Sequence, residues 1–351
     1  MSNMHFRALP ETDLKVSALC IGTMNFGQQT DERTAHEILD AAISSGINFI
    51  DTAEVYPIPP EKQKQGISEE ILGRWLQKNG NRSQLVVASK VSARGRESVM
   101  RTRDVSHGLS KKSIHEALDG TLLRLGTDYL DLYQVHMPDR HVNNFGIRGV
   151  EQLDGNDGVS LHETLEGLNE CVLSGKVRAI GISNETPWGM MKYLDLAERK
   201  GLVKVSTIQN QYSLLNRTFE IGLSEMCLRE NVGLLAYSAL NMGVLSGKYL
   251  KGERPPGARF TLTDRSFSRY NPPHAQVAVE KYVGIARTVG IEPVQLALAF
   301  ALSRSFMTSV IIAATSVKQL EIDVSSLDVR LSEYALSEIQ KVYETLPDPT
   351  C

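Results

Sequence analysis

Cysteine is scarce in this chain. The four present, Cys20, Cys171, Cys227 and Cys351, are scattered through 351 residues and none forms a C-x-x-C pair. That excludes a disulfide scaffold, offers no paired metal ligands and makes a reducing cytosol the expected compartment. Long apolar runs are missing too. None approaches the ~18 residues of a spanning helix, so no membrane role is expected. The opening Met1-Ser2-Asn3-Met4-His5 lacks a basic region followed by an apolar core, so no secretory leader is expected. Neither sign of charge is in excess: 38 Lys and Arg face 41 Asp and Glu, a net −3. Such a balance gives no electrostatic case for nucleic acid or an anionic membrane. Also lacking is G-x-G-x-x-G after the first strand, where Gly22-Thr23-Met24-Asn25-Phe26-Gly27 stands instead. A doubly wound dinucleotide fold would want those glycines.

What is there is ordinary globular composition, 42% hydrophobic and 23% charged. His5 to Leu9 and Leu14 to Ser17 flank the polar turn Pro10-Glu11-Thr12-Asp13 and predict a small hairpin that plugs or caps a larger body. Strands then alternate with amphipathic helices. The first helix follows Thr30-Asp31, carries Ala35, Ile38, Leu39, Ala42 and Ile43, and stops at Gly46. Ser68-Glu69-Glu70 opens a second through Leu72, Trp75 and Leu76, Ser110 precedes a third, and Phe219 to Leu228 reads as one helix. Strand ends fall near Ile21, Ile50, Ser89, Val135, Ile182, Ile208, Ala236 and Ala313. Eight such units without a linker predict a single domain over 1–351: a (β/α)8 TIM barrel with an N-terminal β-hairpin and extra C-terminal helices.

Barrels keep their chemistry at the carboxyl ends of the strands. Asp51, Lys90 and His136 stand at three consecutive ends, and Tyr56 follows Asp51 by five positions. Buried charges need partners, so Asp51 and Lys90 should pair there or stay wet. A phenol alone is a poor acid at neutral pH. An ammonium nearby stabilises phenolate, a carboxylate holds the ammonium, and an imidazole can orient a carbonyl oxygen. The four together suit protonation of a carbonyl oxygen. No side chain donates hydride, so a cofactor is required.

With Asp51-Thr52-Ala53-Glu54-Val55-Tyr56, Ser89-Lys90, Asp128 to His136, Gly181-Ile182-Ser183-Asn184 and Gln209 to Leu215, the chain resembles the aldo-keto reductases from the hairpin to the last helix. Tyr56-Pro57-Ile58-Pro59-Pro60 and Gln211 to Arg217 are most similar to the Tas-like subgroup, akin to potassium-channel β subunits. The resemblance implies a nicotinamide cofactor, usually NADPH, across the barrel mouth, and a small-molecule carbonyl substrate. It implies Tyr56 as proton donor, Lys90 and Asp51 tuning it, and His136 orienting the carbonyl. Ser183, Asn184 and Gln209 match positions that hold the carboxamide, and Tyr237 the aromatic under the ring. Thr23, Met24 and Asp51 are expected among the contacts at the mouth. Ser238, Ala239, Leu240, Gly243, Leu245, Ser246, Gly247 and Lys248 match the loop over the pyrophosphate. Its small residues let backbone N–H groups approach phosphate, and Lys248 adds charge. Arg259 is placed to reach the same phosphates. Ala314, Thr315, Gln319 and Asp323 match the segment that holds the adenosine phosphate, at a helix start. Two positions depart: relatives usually carry Gly at Ala313, and at Asp323 an Asn whose amide reads adenine, where the Asp carboxylate accepts but does not donate. The same resemblance admits a second role, a nucleotide-binding, redox-sensing subunit with little turnover. Neither the substrate nor an oligomeric state is legible.

Overall fold

The computed structural model describes residues 4–59, 61–93, 108–143, 145–147, 149–153, 155, 158–264 and 267–350. The hairpin pairs β1 (Phe6–Ala8) antiparallel to β2 (Lys15–Ser17). Eight parallel strands follow: β3 (Leu19–Gly22), β4 (Phe49–Asp51), β5 (Val86–Val91), β6 (Leu130–Val135), β7 (Val177–Ser183), β8 (Thr207–Gln211), β9 (Gly233–Tyr237) and β10 (Met307–Ile312). They close in chain order, because β10 pairs with both β9 and β3. The (β/α)8 barrel with its N-terminal hairpin is therefore the observed fold.

Strand alternation decides which residues reach the barrel's interior. Cys20, Phe49, Val86, Ala88, Leu132, Ala179 and Leu235 pack together inside, and Leu9, Leu14 and Val16 of the hairpin close that cluster from below. Their neighbours Leu19, Ile21, Ile50, Val87, Tyr133, Ile180 and Leu234 join the larger core under the helices. Two residues above the interior layer, the same parity points Asp51, Lys90, Gln134 and Tyr237 inward. At the matching point of β7 stands Gly181, where a Cβ would lie 2.4 Å from Thr207 Oγ1 and 3.1 Å from Gln134 Cγ. The missing side chain leaves Gln134 room.

Helix starts follow their caps. Asp31 Oδ1 accepts from Thr34 N–H (2.8 Å), and Ser110 and Ser160 cap the helices Lys111–Leu125 and Leu161–Leu173 in the same way. Some expectations needed correction. The second helix starts at Ile67 behind Gly66, and Ser68 donates to Phe26 O rather than capping. Lys90 lies inside β5, not past it, and β8 runs on through Gln209 to Gln211. Phe219 to Leu228 is broken: a tight turn over Thr218–Glu220 precedes the helix Leu223–Glu230, with Gly222 at φ 96° between them. The short helices Arg259–Leu262 and Phe267–Tyr270 carry too few apolar residues to show a period. The basic stretch 94–107 lies outside the described residues. No single described helix is long and apolar enough to cross a membrane.

Glu69 is fully buried, although its place in a first turn reads as a solvated acid. Arg124 Nε donates to its Oε2 (2.7 Å) and Ser89 Oγ to its Oε1 (2.5 Å), tying two helices to β5. Burial pushes the Glu69 carboxyl up even with Arg124 beside it. Arg124→Met should cost about 3 kcal/mol of stability by stranding that carboxyl. Urea unfolding against the wild type measures it; an unchanged midpoint would show the pair to be dispensable.

Candidate active site

Three adjacent strands bring the acid, the amine and the imidazole together. Asp51 ends β4, Lys90 sits in β5, and His136 follows β6 directly. The Lys90 ammonium is fully buried and donates to Asp51 Oδ1, to Thr52 O (2.8 Å) and to Tyr56 Oη (3.3 Å). Burial opposes its charge, but Asp51 and then the Tyr56 oxygen outweigh burial and hold its pKa above the ordinary lysine value. Asp51 Oδ2 accepts from Gln209 Nε2 (2.9 Å) and Gln134 Nε2 (3.0 Å), so the carboxylate is fixed by three donors. Tyr56 reaches the ammonium because the loop after β4 folds tightly. Its N–H donates to Ala53 O (3.0 Å), and Glu54 Oε1 accepts from Ser92 N–H (2.7 Å), which pins the loop to the end of β5. The His136 ring meets Tyr56 edge to face, with centroids 5.6 Å apart. Tyr56 is 8% exposed and opens on a cleft.

That cleft holds about 760 Å³. Beside Tyr56 and His136, Asn184, held at φ 55°, donates to His136 O (2.9 Å) and Ser183 Oγ (3.1 Å). Ser183 Oγ in turn donates to Gln209 O (2.6 Å). Tyr237 Oη, kept protonated by burial, donates to Asn184 Oδ1 (2.6 Å). Both Gln209 N–H groups are engaged by Asp51 and Gln134. No described residue donates to Gln209 Oε1, so this part of the cleft offers acceptors, which is what a carboxamide NH2 requires. Farther along stand Lys248 and Arg259. Burial lowers the pKa of each, and no described carboxylate forms an ion pair with either. Arg259 Nη2 donates to Asn25 Oδ1, a neutral partner. Two desolvated cations without an ion-paired carboxylate among the described residues have the chemistry that holds phosphate.

Residues 18–344 match the Aldo/keto reductase family. The chain is 48% identical to Protein tas of Escherichia coli (strain K12), over 99% of this chain and 100% of that protein. It is 30% identical to norsolorinic acid reductase stcV of Emericella nidulans, over 96% of this chain and 80% of that one. A probable voltage-gated potassium channel subunit beta of Arabidopsis thaliana is 29% identical, over 98% of both chains. This chain belongs to the aldo/keto reductase family. Its membership places it with a family of oxidoreductases.

The family-derived positions divide. Met24, Asp51, Tyr56, His136, Ser183, Asn184 and Gln209 line one stretch of the cleft wall, and Tyr237 lies beside them. Ser238, Ala239, Leu240, Gly243, Ser246 and Lys248 form a second stretch of wall with Arg259, and Thr315, Gln319 and Asp323 a third. Thr23, Lys90, Leu245, Gly247 and Ala314 do not line it. Thr23 N–H donates to Asp51 O, Lys90 lies behind Asp51 and Tyr56, and Leu245 and Ala314 pack into the core. The glycines of the aldo/keto reductase loop also act otherwise than expected. Gly243 and Gly247 N–H donate to Leu240 O and Val244 O inside the loop (2.9 and 3.0 Å). Their φ values of 87° and 80° let the chain turn there. Thr315 N–H and Oγ1 are likewise engaged, by Gln319 Oε1, and Ser316 caps the helix Val317–Ser325. Sequence reasoning missed Gln134, which strand parity with Leu132 could have found. It also missed Asn25, Phe145, Arg269 and Tyr270 on the cleft wall, for which no local signal exists.

Proposed function

We propose that this protein reduces an aldehyde or ketone to the alcohol with NADPH, in the cytoplasm. The observation that carries the reading is a phenol hydrogen-bonded to a buried, carboxylate-paired ammonium, facing a cleft of dinucleotide size. When bound, reduced nicotinamide supplies hydride to the carbonyl carbon. The chain's residues do the rest. Tyr56 Oη gives its proton to the carbonyl oxygen. Lys90 stabilises the phenolate left behind, and Asp51 keeps Lys90 charged and in place. His136, against the Tyr56 ring, orients the carbonyl oxygen. Gln134 and Gln209 hold Asp51 to one geometry. Lys248 and Arg259 support the choice of a phosphate-bearing dinucleotide. Titrating NADPH fluorescence and following its oxidation over a panel of aldehydes and ketones tests the proposal; no binding and no turnover would end it.

The relatives named as channel β subunits favour one second reading, an NADP(H)-binding redox-sensing or regulatory subunit with little turnover. Tight NADPH with no multiple turnover on any carbonyl would select it. A change of charge separates nucleotide recognition from chemistry. Lys248→Met should weaken NADPH by about ten- to a hundredfold, the worth of one charge-assisted hydrogen bond. NADH should weaken less if Lys248 meets the extra phosphate. Equal affinities in wild type and variant would remove Lys248 from the site.

A further inference from the structure

Asp323 is 4% exposed, lines the cleft and lies on the helix Val317–Ser325. No described residue donates a hydrogen bond to its carboxyl. Helix Pro293–Leu302 presents Val294 and Leu298 to this cleft, both apolar, and Glu32–Ser44 buries Ala35, Ile38, Leu39 and Ala42. On its own helix Lys318 and Glu321 are exposed. Lys248 is the one charged group that acts on it among the described residues, and it does so without an ion pair. A buried acid facing a ligand cleft with no donor of its own is built to be neutral, or to be satisfied by the ligand.

We infer that Asp323 binds the dinucleotide as the neutral acid, so that nucleotide binding takes up a proton from solvent. The inference rests on the dinucleotide reading of the cleft. Its chemistry is direct. The carboxylate only accepts hydrogen bonds, whereas the acid donates one and accepts another. The edge of adenine with N6 and N7 offers one donor and one acceptor, which the acid matches and the carboxylate does not. A nucleotide also displaces the water that still reaches the carboxyl and brings phosphate to Lys248, so both changes disfavour the charged form. Burial already pushes this carboxyl up to about 7, against the pull of Lys248. Near neutral pH both forms are therefore populated in the free protein. The acid is abundant below that value and is lost as pH rises through it, so affinity should fall in the same direction.

Calorimetric titration of NADP+ at pH 6 and pH 8 into wild type and Asp323→Asn tests this. If only the acid binds, the wild-type dissociation constant rises about tenfold more than the variant's, because the competent fraction shrinks by that factor. The amide keeps donor and acceptor at every pH. The 2′-phosphate titrates near pH 6 in either complex, so the difference between the proteins is the measure. Repeating the wild-type titration with NAD+ in two buffers of different ionisation enthalpy counts protons directly, without a variant and without that phosphate. Net uptake at pH 7 supports the inference. No uptake, or identical pH dependence in both proteins, overturns it. Absence of dinucleotide binding at both pH values overturns the reading of the cleft and this inference with it.

Discussion

Tyr56→Phe should abolish carbonyl reduction, by roughly 10²–10⁴-fold or more, the loss expected when a positioned acid is removed. NADPH should bind the variant as it binds the wild type. The ring keeps its edge-to-face contact with His136 and its place 4.8 Å from Lys90 Nζ. Only the hydroxyl goes, and with it the 3.3 Å hydrogen bond from the ammonium. Lys90 keeps Asp51 and Thr52 O, so the network beneath the ring survives and stability should change by less than about 1 kcal/mol. Single-turnover oxidation of bound NADPH, beside a fluorescence titration of the nucleotide, reads the two effects apart. Unchanged turnover would overturn the assignment of Tyr56. Lost nucleotide binding would mean that the phenol holds the cofactor rather than serving the chemistry.

The barrel was legible because parallel strands buried on both faces are continuous apolar runs, as Leu130 to Val135 shows apart from two polar residues. Those two, Asp131 and Gln134, stand three residues apart, so strand alternation sends them to opposite faces. Asp131 faces outward and pairs with Arg82 and Arg178, while Gln134 faces inward to Asp51. Strand ends gave Asp51 and His136, since function collects at that rim whatever the loops do. Glu69 was illegible because its partners stand 20 and 55 residues away. The loop Ser238 to Lys248 shows a different limit. Its glycines were visible, but a glycine serves close approach and positive φ alike, and only the backbone geometry distinguishes the two. Phe145 and Arg269, whose guanidinium stands 5.0 Å from the Phe145 ring, meet through segments with no periodicity to read.

Lys90→Met should damage both activity and stability, and the two losses should be separable. The methionine keeps the bulk of the stem and removes the charge. Turnover should fall at least a hundredfold, because the phenolate of Tyr56 loses the cation beside it. Stability should fall by about 3 kcal/mol, because the Asp51 carboxylate stays buried with only Gln134 and Gln209 as donors. In the wild type the raised Lys90 pKa means the pair's contribution is complete below the ordinary lysine value and is lost only as pH rises past the raised one. The comparison therefore holds across neutral pH. Adding Asp51→Asn to Lys90→Met tests the cause. If the stability loss comes from a stranded charge, the double variant should be more stable than Lys90→Met alone, since no charge remains to desolvate. It should stay inactive, since the ammonium is still missing. Denaturant midpoints and single-turnover rates on the three proteins decide it: a double variant no more stable than the single one would mean that Lys90 holds the barrel by packing. Recovered turnover would mean that its charge is not what Tyr56 needs.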